Sequence, residues 1–151
     1  MGTAKSSAMC RRVKNVELLI NLADDFSNMI RYNAMTISEL IQQTSQNSIY
    51  ADIDFIKKIS ERSAEEYDIH SIWNEEVRKS LFLKKEEMDI MLLFGDMLGT
   101  SDISGQLSSI ELYRKKLEYL HSGLRKDYER KGRMYCSVGL LSGIMAGILL
   151  L

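Results

Sequence analysis

The sequence predicts an all-α protein: a helical bundle of about six helices with a C-terminal transmembrane helix. Three observations carry this expectation. Proline is absent from the 151 residues and glycine is scarce before Gly95, so nothing punctuates the chain into the short turns of a β protein. Apolar residues recur at three- and four-residue steps through most of its length. The last stretch, Met134 to Leu151, carries no charge at all.

The elements follow in order. Residues Val13 to Arg31 place Val16, Leu19, Ile20, Ala23, Phe26 and Ile30 on one amphipathic stripe. Thr36-Ile37-Ser38-Glu39 is a capping box, in which threonine caps the helix start and glutamate reaches back. It opens a short helix to about Thr44. Asp52 to Ser63 turns Ile53, Ile56 and Ile59 inward. Asp68 caps a fourth helix that buries Ile69, Ile72, Trp73 and Val77. Lys84 to Leu98 forms a fifth, rich in methionine, and Gly99 suits a helix stop. Ser101 or Asp102 caps a long sixth helix, which meets no strong breaker before the chain ends. Ile103, Ile110, Leu117 and Leu124 fall seven apart along it. From Ile103 to Leu117 this seam is expected to pack on its own bundle. Toward Asp127 it is open to a second chain.

Eighteen helical residues from Met134 span about 27 Å, close to the roughly 30 Å of a bilayer's hydrocarbon core. Arg125, Lys126, Arg130, Lys131 and Arg133 precede them, a basic flank of the kind found on the cytoplasmic side. Gly139, Gly143 and Gly147 form two overlapping GxxxG steps, the spacing that lets membrane helices pack closely. The chain thus divides into an N-terminal arm (1–12), a cytosolic bundle (13–133) and a transmembrane helix (134–151). The arm ends in the basic cluster Arg11, Arg12 and Lys14, which also reads as the flank of an upstream membrane helix of which the arm is a remnant.

Composition narrows the function. Twenty basic against 21 acidic side chains give a net charge of −1, which excludes a generally basic nucleic-acid binder. Two cysteines exclude a disulfide-stapled scaffold. No phosphate-binding or dinucleotide fingerprint is present. Glu118 and His121 make one ExxH step, whereas a di-metal bundle needs two such steps and two further glutamates. No catalytic residue, cofactor or metal site is expected, and the chain is not read as an enzyme. Residues 52–76 hold eight acids and three bases, a solvated face or a surface for a basic partner.

The run Leu93-Phe94-Gly95-Asp96-Met97-Leu98-Gly99-Thr100-Ser101-Asp102, followed by Gln106, resembles the signature of the stage III sporulation protein AB family. Trp73 and Glu76 sit where that family has a Trp-x-x-Glu step, and Gly139 to Leu151 resembles its closing membrane segment. Family members usually begin with a membrane helix, for which this sequence has only Met1 to Met9. The resemblance implies a non-enzymatic membrane platform in the secretion-like complex that joins mother cell and forespore. Its bundle would be similar to the cytosolic domain of the type II secretion inner-membrane platform protein. It would lie on the mother-cell side, at the outer forespore membrane, with its main domain in the cytoplasm. Its partners would be the cytosolic stage III sporulation ATPase (stage III sporulation protein AA), other membrane components and the bilayer. The competing reading is a tail-anchored scaffold that oligomerises through its glycine-rich membrane helix without an ATPase.

Within the signature, Phe94, Gly95, Leu98, Gly99, Ser101, Asp102 and Gln106 form either a partner site or a hinge. As a hinge, Gly95 and Gly99 bracket the end of the fifth helix, and Gln106 bonds back to the connecting loop.

Overall fold

The computed structural model describes residues 2–33, 35–63, 68–97 and 102–131. Among them there are six α-helices and no strand: α1 (Gly2–Asn33), α2 (Ile37–Ser45), α3 (Asp54–Ser63), α4 (Ile69–Lys79), α5 (Lys85–Met97) and α6 (Ile103–Lys131). A 3-10 turn, Ser48–Tyr50, joins α2 to α3.

The long helices α1 and α6 form the spine. They run antiparallel: His121 meets Glu17, and Arg114 meets Asp24. The shorter helices pack in succession, α2 on α3, α3 on α4, α4 on α5, and α5 returns to α6. The core contains Val16, Leu19, Phe26 and Ile30 of α1, Leu40 and Ile41 of α2, Phe55, Ile56 and Ile59 of α3, and Ile72, Trp73 and Val77 of α4. Burying a side chain of this size contributes about 1.5–3 kcal/mol.

The caps follow the sequence closely. Thr36 accepts from Glu39 N while the Glu39 carboxylate accepts from Thr36 N, completing the capping box. Asp68 accepts from Ser71 N and from the Ser71 hydroxyl, and these bonds hold its carboxyl below the usual aspartate range.

Three expectations are corrected. The first helix begins at Gly2, not Val13, so residues 2–12 are helical and continuous with it. The third begins at Asp54, because Tyr50 closes a 3-10 turn and Ile53 N bonds the Tyr50 carbonyl. Ile103 does not join the buried seam with Ile110 and Leu117; it is 54% exposed. As the first residue of antiparallel α6, it lies level with the end of α1. Among the described residues no helix is long and apolar enough to cross a membrane. The expected span 134–151, with Gly139, Gly143 and Gly147, lies outside the described residues.

Candidate functional site

The signature residues sort by what they touch. Trp73 on α4 is fully buried and donates through Nε1 to the Met91 carbonyl of α5 at 2.7 Å. Phe94 stacks on it with ring centroids 5.7 Å apart and planes 24° from parallel. Phe55 meets the indole edge-on at 5.6 Å. Phe94 also contacts Phe26 of α1 and Tyr113 of α6, so it touches α1, α4 and α6 at once. Burial pushes the Tyr113 hydroxyl pKa up.

Gly95, expected to bracket the end of the fifth helix, has a packing role. It lies inside α5, and a Cβ there would stand 2.1 Å from Trp73 Cδ1. The glycine exists so that the indole can lie against the helix backbone. Three residues beyond Trp73, Glu76 is buried and accepts from Arg62 of α3 at 3.0 Å. The Trp-x-x-Glu step therefore ties α4 to α5 through the indole and to α3 through the carboxylate.

At the start of α6, Asp102 caps the helix, accepting from Gly105 N at 2.8 Å while its carbonyl accepts from Gln106 N. The Gln106 side chain is half-buried and makes no hydrogen bond among the described residues. The connecting loop to which it is expected to bond lies outside the described residues. Leu98, Gly99 and Ser101 lie outside the described residues. Phe94 and Gly95 thus pack within the bundle, and Asp102 caps α6.

Several charged residues are committed within the fold as well. Arg12 of α1 donates to Glu87 of α5 at 2.8 Å and lies 3.7 Å from Glu86. Glu87, almost wholly buried, also accepts from Lys84 N. Its hydrogen bonds hold the Arg12 guanidinium pKa above the ordinary value. Burial, reinforced by a bond to Asp25, pushes the Tyr50 hydroxyl pKa well up. Within the acidic stretch, Asp54, Asp68, Glu75 and Glu76 each have a partner in the fold. Glu118 pairs with Arg114, and His121 with Glu17, so the ExxH step does not converge on one point. Among the described residues no three His, Cys, Asp or Glu side chains are placed to hold a metal ion.

A groove of about 720 Å³ lies open between α5 and α6. Ile90, Leu112, Tyr119, Leu120 and Leu124 line it, with Lys115 and Lys116 along α6 and Glu86 and Asp89 along α5. Leu112 is 53% and Tyr119 84% exposed. Gly123 opens into the same groove, with no atom within 4 Å of where its Cβ would stand. This glycine costs α6 about 1 kcal/mol relative to alanine, and no neighbour among the described residues requires it. The signal in the sequence is the Leu112–Tyr119 pair, seven apart and off the buried Ile110–Leu117 seam. One heptad reading of α6 hides that second stripe.

The comparisons with known proteins agree with this architecture. The family model described as stage III sporulation protein AB matches residues 1–151. The stage III sporulation protein AB of Bacillus subtilis (strain 168) is 28% identical over 92 residues, which take in 61% of this chain and 51% of that protein. The chain thus spans about half the length of that relative. A solved structure of stage III sporulation protein AB superposes with a TM-score of 0.65 at 20% identity, covering 79% of this chain and 97% of that one. At that identity the likeness speaks for the fold. With the family model matched along its whole length and the fold shared with the solved structure, the chain belongs to the stage III sporulation protein AB family.

Proposed function

We propose that the chain is a non-enzymatic membrane platform of the secretion-like complex between mother cell and forespore. The 134–151 segment anchors it in the outer forespore membrane, with Gly139, Gly143 and Gly147 packing against another membrane helix. The bundle lies in the mother-cell cytoplasm and docks the stage III sporulation ATPase in the α5–α6 groove. The observation that carries the docking role is the groove itself: Leu112 and Tyr119 are large, apolar, exposed and idle in the fold. Family membership supports the sporulation setting.

The test is a pull-down of the ATPase by the full chain in detergent, wild type against Leu112→Asp and Tyr119→Asp. Both variants should melt like wild type and lose the ATPase. Retention of the ATPase by both would refute groove docking. The second reading, a tail-anchored scaffold, is favoured by the register of the three membrane glycines. It predicts self-association in detergent and no ATPase capture by the wild type.

A further inference from the structure

The loop between α4 and α5 holds an apolar tip outward by a built turn. The Ser80 hydroxyl donates to Asp54 at 2.6 Å and accepts from Phe82 N and Leu83 N, while Leu81 N donates to the second Asp54 oxygen at 2.8 Å. Leu83 is buried as the root of the loop, and Leu81 is 92% exposed at its tip. Phe82 is half-buried, in a small cleft shared with Ala8, Arg11 and Asn15 of α1. A free loop would turn such a leucine toward any apolar surface nearby; here five hydrogen-bonding groups keep it in water.

Four basic residues flank the tip in the chain, and the Asp54 carboxylate sits at its base. Arg78 and Lys79 precede it, Lys84 and Lys85 follow it, and all four side chains are exposed. Among the described residues none of the four makes an ion pair. Arg78 and Lys79 suit the C-terminal end of α4, but Lys84 and Lys85 stand at the start of α5, where the helix dipole disfavours cations. The fold gains nothing from them there.

The loop also lies at one particular end of the bundle. Arg12 joins the start of α5 to the first half of α1, and the groove joins Arg12 to Leu124 and Asp127 of α6. The loop therefore shares its end with the last turns of α6. Three residues beyond Lys131 the uncharged stretch begins.

We infer that this loop is a bilayer contact: Leu81 and Phe82 enter the headgroup layer of an anionic membrane, and Arg78, Lys79, Lys84 and Lys85 bind its lipid phosphates. The inference rests on the membrane-anchor reading, which brings this end of the bundle to the bilayer. An apolar tip seats several ångströms into the headgroup boundary, and each basic side chain adds attraction to anionic lipid. The contact orients the bundle on the membrane and leaves the groove sideways, open to the cytoplasm.

The experiment uses the full chain carrying Leu81→Trp in vesicles of brominated phosphatidylcholine, with or without phosphatidylglycerol. Trp73, fully buried, supplies a shielded background in the parent chain. In the anionic vesicles the added tryptophan should lose roughly half its emission to the bromine atoms, and high salt should relieve the quenching. Adding Lys84→Glu and Lys85→Glu should lower the quenching about two-fold or more without lowering the melting temperature, since acids suit the start of a helix. A chain that floats with the vesicles while Leu81→Trp stays unquenched overturns the loop contact and leaves the anchor standing. Equal quenching with neutral and anionic lipid overturns the recognition of anionic headgroups. A chain that does not float with either vesicle overturns the anchor and the contact together.

Discussion

Replacing Gly95 by alanine adds one methyl group, and the geometry says what it meets. The new carbon would stand 2.1 Å from Trp73 Cδ1, 2.5 Å from Nε1 and 2.9 Å from Cγ, all inside contact distance. The indole has no room to retreat: Phe94 stacks on one face, Phe55 closes an edge, and its N–H is spent on the Met91 carbonyl. Overpacking costs about 1–3 kcal/mol. Moving the ring off Met91 leaves a buried donor without a partner, at about 1–3 kcal/mol more. Alanine returns about 1 kcal/mol through helix propensity. The net loss is about 3 kcal/mol, which lowers the melting temperature of a chain this size by roughly 6–12 °C. Circular dichroism of the full chain in detergent reads the melt, and tryptophan emission reads the site, because Trp73 is the chain's only tryptophan. Gly123→Ala is the control: its Cβ meets nothing, so it should gain up to about 1 kcal/mol. Pairing Gly95→Ala with Trp73→Leu should recover part of the loss, since the two sites touch. If Gly95→Ala melts at or above wild type with unshifted emission, the account of this glycine is wrong.

Three further outcomes follow from the same contacts. Arg12→Ala strips the buried Glu87 of its cation and should cost roughly 2–4 kcal/mol in a denaturation midpoint, less than a wholly buried pair because part of Arg12 meets water; an unchanged midpoint would mean that Glu87 finds another donor. The Asp68 carboxyl has its pKa lowered on folding, so its capping contribution is present above the ordinary aspartate value of about 3.9 and is lost as pH falls through the folded value. Asp68→Asn should flatten the pH dependence of melting in that acid window, and a wild-type slope in the variant would place the titration elsewhere. Replacing Gly139, Gly143 and Gly147 together with leucine should preserve membrane insertion and weaken helix pairing in a transmembrane reporter assay, whereas unchanged pairing would discard the glycine face.

The helices, and the starts of those that carry a side-chain cap, were legible in the sequence because they depend on local chemistry. Thr36 with Glu39, and Asp68, are caps whose donors lie within three residues, so spacing alone specifies them. The apolar stripe of α1 and the burial of Trp73 follow from helical periodicity. Tertiary structure decided the rest. Along the chain Gly95 only brackets the end of the fifth helix with Gly99, and the indole arriving from α4 shows that it is a packing notch. Arg12 reads as part of a membrane flank until α5 brings Glu87 beneath it. Ile103 fits its heptad yet stays exposed because α1 has already ended. The groove and the Leu81 tip were invisible for the same reason. A repeat marks which residues share a helix face, but exposure depends on which other helix covers that face. The antiparallel pairing of α1 with α6 and the return of α5 to α6 set that cover, through contacts between residues far apart in sequence.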